Sequence, residues 1–317
     1  MEKIQIIETT INHDLLPKSL YGDKPYRVDG KGLIIPHSFK HEIEKLLNKF
    51  LATRLFDKQG VFLRLDLFID PELDRIHLLE INSRLVDGWG ASFNIIRAAG
   101  EKVEELSVVA SRALFPPFWY LPLSNRVYRN DFDFVLRELN LLGVSVLEAK
   151  TLGDIPPSEW VYYYGWDRPK NNRPRLAPSS GYEIENKVHL ADFSQTWHGD
   201  QVRIPRGYSR GNTVWDDIPR EQVIFKFCEK QCPDSRRAGS NVLYPKEVGR
   251  GRFTKQCYNR GTIVAQDIVS SLEFEDRICQ LVLLTSGETV ITGYVLWAPR
   301  MARVITDAYE HGPLLWT

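Results

Sequence analysis

The segment Val61-Phe62-Leu63-Arg64-Leu65-Asp66-Leu67-Phe68-Ile69-Asp70 alternates between apolar and other residues with a period of two. That period is the mark of a half-buried β-strand. Val61, Leu63, Leu65, Leu67 and Ile69 fall on one face, which leaves Arg64 and Asp66 together on the other. Pro71 to Arg75 reads as a turn, and Ile76-His77-Leu78-Leu79-Glu80-Ile81-Asn82 as the returning strand, with Glu80 and Asn82 sharing a face. Folding the pair back about residue 73 sets Asp66 opposite Glu80 and Arg64 opposite Asn82. Directly opposed residues have Cβ atoms about 4.5–5.5 Å apart, and like charges so placed repel. Two facing carboxylates therefore need a cation or a proton between them. Oxygens of Asp, Glu and Asn are hard ligands that suit magnesium, an ion that keeps waters and shares its shell with phosphates. Arg64 beside them is suited to stabilising a developing oxyanion. The same pattern also fits a plain exposed hairpin with its charges in water.

The rest of the chain divides by composition into stretches 1–100, 101–180 and 181–317. In the first, Ile43, Leu46, Leu47, Phe50, Leu51 and Leu55 recur at helical spacing, and Gly60 reads as the stop. In the second, a helix around Phe132–Leu142, then Gly143 and the strand Val144–Leu147, is the punctuation of an α/β layer. The third carries β-rich runs at Val223–Phe227, Thr262–Val269, Ile278–Leu284 and Thr289–Trp297. The fold class expected from this is mixed α/β (α+β).

Several function classes are disfavoured by composition. With 41 basic and 41 acidic residues the net charge is zero, so the broad attraction that a non-specific nucleic-acid or acidic-membrane binder needs is missing. No apolar run reaches the roughly 18–20 residues that cross a bilayer. The first residues, Met1 to Gln5, lack a basic leader with an apolar core, and the expected location is the cytoplasm. Cys228 and Cys232 are not matched by a second pair or by suitably spaced histidines, so the four cysteines read as thiols and not as a zinc site.

Arg64-x-Asp66, thirteen residues, then Glu80-x-Asn82 resembles the metal-binding end of the ATP-grasp superfamily of carboxylate–amine ligases, and Glu80-Ile81-Asn82-Ser83-Arg84 resembles the Glu-x-Asn-x-Arg of its carboxylase members. Further segments resemble its nucleotide site. Glu185-Asn186-Lys187 is similar to the first ATP-contacting lysine and its helix, and Val223-Ile224-Phe225-Lys226 to the lid strand whose lysine reaches the phosphates. Asp234 to Ser240 stands where the family has a small-residue phosphate loop. Ile263 to Val269 is similar to the strand and hinge that hold adenine by backbone groups, with Gln266 and Val269 in it, and Glu273 to the acid that binds the ribose hydroxyls.

The resemblance implies ATP and magnesium as cofactors, with Asp66, Glu80 and Asn82 as metal ligands and Arg64 and Arg84 at the reacting centre. It implies an ATP-dependent ligase that activates a carboxylate as an acyl phosphate and joins it to an amine or another nucleophile. Its partners would be small molecules or peptides carrying those groups, with neither nucleic acid nor membrane indicated. An ATP-grasp-type phosphotransferase and a non-catalytic nucleotide-binding protein are the alternatives. The order of parts departs from the family, because the metal hairpin comes first and the nucleotide half last. A circular permutation accounts for this: 1–100 is then the metal-binding part, 101–180 a small α/β substrate-type domain, and 181–317 the nucleotide-binding lid. It requires the strand near Gly293–Trp297 and the chain end to lie beside the first segment. A homodimer in which one chain's metal half completes another's lid is the other account.

Overall fold

The computed structural model describes residues 2–17, 27–53, 62–83, 86–101, 118–122, 146–156, 159–164, 175–177, 184–229, 233–238, 241–244, 251–300 and 309–317. Its largest element is a nine-stranded sheet. That sheet comprises β1 (Gln5–Glu8), β2 (Lys31–Ile35), β3 (Phe62–Ile69), β4 (Ile76–Asn82), β9 (Val202–Arg203), β14 (Glu273–Phe274), β15 (Arg277–Ser286), β16 (Thr289–Pro299) and β17 (Glu310–Trp316). The order is β1-β2-β17-β16-β15-β3-β4-β9, with β14 beside β15. Only the β2–β17 and β4–β9 pairs are parallel within it. The last strands of the chain thus lie between its first ones, as the expected adjacency of the chain end and the first segment requires.

Two helices cover opposite faces of this sheet. In α1 (His37–Ala52), residues Phe39, Ile43, Leu46, Leu47, Phe50 and Leu51 form the apolar stripe, and they pack in one cluster with Leu63, Leu65, Leu67 and Ile69 of β3. The helix ends at Ala52, with Thr53 donating its N–H back to Lys49 and Phe50; Leu55, Gly60 and Val61 lie outside the described residues. On the other face, α2 (Trp89–Ala98) sets Ala91 and Ile95 against Val282, Tyr294 and Leu296. Arg64 and Asp66 belong to this second face, because the odd-numbered residues of β3 are committed to the α1 side.

Two smaller sheets complete the fold. The strands β5 (Phe118–Pro122), β6 (Val146–Glu148), β7 (Trp160–Tyr164) and β8 (Arg175–Ala177) run parallel in the order β6-β5-β7-β8. The helix expected around Phe132–Leu142 lies outside the described residues. An antiparallel sheet, β10-β13-β11-β12, is built from β10 (Gly207–Tyr208), β11 (Val223–Phe227), β12 (Val242–Leu243) and β13 (Ile263–Asp267). One of its faces buries Val223, Phe225, Phe227, Ile263 and Ala265 against Trp215 and against Tyr258 of α5 (Gly251–Arg260). The opposite face carries Val264, on which α3 (Lys187–Phe193) packs through Val188 and Ala191. The architecture is a mixed α/β fold. No helix among the described residues is long and apolar enough to cross a membrane.

Candidate active site

The β3–β4 hairpin brings together the side chains that its alternation selects. Arg64 pairs with Asn82 and Asp66 with Glu80, in the expected register. Beyond Asp66 the register shifts, so that Leu67 pairs with Leu78 and Leu79 is left over as a β-bulge. The bulge has a clear physical role. Ile76, Leu78, Glu80 and Asn82 are all even-numbered, and strict alternation would send all four to one face. With Leu79 inserted, Ile76, Leu78 and Ile81 enter the core while Glu80 and Asn82 turn to the face of Arg64 and Asp66.

Asp66 is the hub of this face. Its Oδ1 accepts from Arg64 Nε at 3.1 Å and from Gln280 Nε2 at 3.0 Å, and its Oδ2 accepts from Asn82 Nδ2 at 2.9 Å. Arg64 also donates through one terminal nitrogen to Asp87 Oδ1 at 2.7 Å, a buried ion pair. Asp87 stands just before α2, where Gly88 adopts φ of +101°. His77 lies further along the sheet, opposite Phe68. Burial lowers its pKa below the usual imidazole value.

Two lysines from far along the chain arrive at β4. Lys187 is the first residue of α3, whose preceding Asn186 caps the helix by accepting from the Val188 N–H at 3.0 Å. Its ammonium donates to Glu80 Oε1 at 3.1 Å. Lys226, near the end of β11, donates to the carbonyl of Leu79 at 3.1 Å. That carbonyl belongs to the bulged residue, which the ladder leaves unpaired with a partner residue on β3. Both lysines are largely shielded from water, at 9% and 7% exposure, and a lysine in such a setting needs a compensating partner. Each lysine reaches the hairpin within one chain.

The remaining expected site residues divide. Gln266 and Lys226 share one face of the β10-β13-β11-β12 sheet, since Gln266 pairs with Ile224 and Lys226 with Val264. Gln266 is buried, and its Oε1 has no hydrogen-bond partner among the described residues. Beside it, burial raises the Asp267 pKa despite a hydrogen bond accepted from the Tyr208 hydroxyl at 3.0 Å. Val269 follows β13 in a connector that leads on to β14, tied along the way to Ile69 of β3 through Leu272. Glu273 is exposed on β14 and pairs with Arg300 at 3.4 Å. Arg84 lies outside the described residues.

The segment expected as a phosphate loop is instead helical over its first part, α4 (Pro233–Ala238). Proline at the first helical position and an acid in the first turn both favour that outcome. Asp234 is further held by Arg260 at 2.8 Å and Thr262 at 3.1 Å. Asp87 and Gln280 are the site residues that the alternation did not reveal. Asp87 is a lone acid before an apolar run, and Gln280 a lone polar residue in the middle of one, a signal legible only in retrospect.

The donor chemistry of the hairpin fits a hard divalent cation. Asp66 and Glu80 are opposed, and Asn82 adds an amide on the same face. The described residues hold no cluster of three or more His, Cys, Asp and Glu suited to a metal. A cation here would therefore take two carboxylates and complete its shell with amide, water and phosphate oxygens, which is the habit of magnesium.

Compared with known proteins, the chain is matched by no family model and by no curated protein. Among solved structures it is similar to a protein provisionally described as a gamma-glutamylcysteine synthetase from Methylobacillus flagellatus KT. That likeness has a TM-score of 0.47 at 10% identity and covers 84% of this chain and 81% of the other. At such a distance it assigns neither a residue nor an activity to this chain.

Proposed function

We propose that this chain is an ATP-dependent, magnesium-requiring ligase built as a permuted ATP-grasp protein. The observation that carries the proposal is the meeting of Lys187 with Glu80 and of Lys226 with Leu79, which joins the two halves at adjacent residues of one strand. In this reading Asp66, Glu80 and Asn82 hold magnesium, which supplies charge neutralisation of the ATP phosphates. Lys187 and Lys226 exchange their present partners for phosphate oxygens. Gln266 and Val269 hold the adenine, and Glu273 serves the ribose after leaving Arg300.

The substrate carboxylate attacks the γ-phosphorus, ADP leaves, and an amine then displaces phosphate from the acyl phosphate. Arg64, oriented by Asp87, faces the oxyanion of the tetrahedral intermediate; Arg84 has the same role by resemblance. Most of the acceleration comes from positioning and charge stabilisation. A carboxylate and an amine, on small molecules or a peptide, are the substrates expected.

The test is ADP release by the full chain with magnesium, ATP and paired acid and amine substrates, with the condensed product identified by mass. Asp66→Asn and Glu80→Gln are each expected to lower turnover by more than about 100-fold. Full turnover in either variant would falsify the metal assignment. A phosphorylated product without condensation points to a phosphotransferase, and nucleotide binding without ADP release to a binding module.

A further inference from the structure

We infer that Gln280 is a positioning residue for Asp66, one that leaves this carboxylate to bind a divalent cation through Oδ2 alone. The inference rests on the metal site of the proposed ligase and adds to it a residue from the opposite end of the chain. Gln280 lies on β15, where it pairs with Phe68, one row along the sheet from Asp66. Its side chain points to the same face, and at 7% exposure it has little access to water. A polar group so placed loses free energy unless it finds a partner, and its amide finds Asp66 Oδ1 at 3.0 Å.

The hydrogen bonds of Asp66 show why this contact matters. A carboxylate offers about four acceptor positions. Arg64 and Gln280 fill both on Oδ1, and Asn82 fills one on Oδ2. The remaining position is therefore on Oδ2, the oxygen bonded to β4, the strand that also carries Glu80. Two of the three donors are neutral amides, and the charge of Arg64 is shared with Asp87. Gln280 thus orients the carboxylate without neutralising it, which a lysine or arginine at that position would not do. Outer partners that orient a metal ligand typically alter metal affinity by about 10–100-fold when removed.

The experiment uses the full chain, Mn2+ as the metal probe and a non-hydrolysable ATP analogue, with free Mn2+ followed by electron paramagnetic resonance. Gln280→Met removes the donor at nearly constant volume. It is expected to weaken Mn2+ binding by about 10–100-fold. The metal-free melting temperature and the affinity for nucleotide without metal should stay near those of the unmodified chain, a separation that a merely structural role would not produce. A folded Q280M chain that binds Mn2+ as tightly as the unmodified one overturns the inference while leaving the ligase reading intact. If the unmodified chain takes up no Mn2+, the metal-site reading fails and the role of Gln280 falls with it. Should Q280M fail to fold, Gln280→Leu repeats the comparison, and loss of the fold in both makes Gln280 structural and overturns the proposal.

Discussion

Gly88 shows how much one backbone angle contributes to the site. Its φ of +101° lies where a side chain is strained, and a Cβ there would stand 2.6 Å from the Tyr294 ring. The turn it permits sets Asp87 on Arg64 at 2.7 Å and starts α2 directly afterwards. Gly88→Ala is expected to destabilise the chain by about 2–4 kcal/mol, through backbone strain and overpacking together. Urea unfolding measures this, and a change under about 0.5 kcal/mol would contradict it. Residue identity made the charged members of the hairpin legible in advance. It did not reveal Asp87 or Gln280, because each acquires its role from a neighbour more than twenty positions away.

At the level of the element, the bulge at Leu79 is the decisive feature of β4. Apolar positions at Ile76 and Leu78 and polar ones at Glu80 and Asn82 cannot all be served by an unbroken period of two. The extra residue resolves the conflict and aims a backbone carbonyl at Lys226. Deleting Leu79 leaves the pairs Leu67–Leu78 and Asp66–Glu80 consecutive, so a regular ladder with the same facing residues remains available. Because Lys226 leaves the Leu79 carbonyl when it takes phosphate, the deletion is expected to keep the melting temperature within a few degrees while tightening nucleotide binding by about 2–10-fold, measured by calorimetric titration. Unchanged nucleotide affinity would show that the bulge matters only for packing.

Across the whole molecule, the two ends of the chain are interleaved in one sheet. β17 hydrogen-bonds to β16 on one side and to β2 on the other, so among the described strands it connects β1 and β2 to the rest of the strand order. His311, Gly312 and Leu314 are buried in that arrangement, and a Cβ on Gly312 would collide with the Lys31 carbonyl. Removing residues 309–317 should therefore abolish cooperative thermal unfolding, because both flanking strands lose a hydrogen-bonded partner inside the sheet. A single calorimetric transition at the original temperature would refute this. The same interleaving carries β15, and with it Gln280, to the side of β3.

What the sequence by itself determined is local. The period of two set the strands of the hairpin and the face of Arg64 and Asp66, the helical period set α1, and the short β-runs set β11, β13, β15 and β16 within a few residues. These are legible because side-chain direction repeats along the backbone, and burial of one face follows from that repeat. The meeting of Lys187 and Lys226 with β4 was legible only through resemblance, since spacing along the chain says nothing of distance across it. The bulge, the helix at Pro233–Ala238 and the Asp87 and Gln280 contacts were decided by tertiary structure. In each of them a local preference was selected by partners remote in sequence, whose packing and hydrogen bonds exist only once the sheets have assembled.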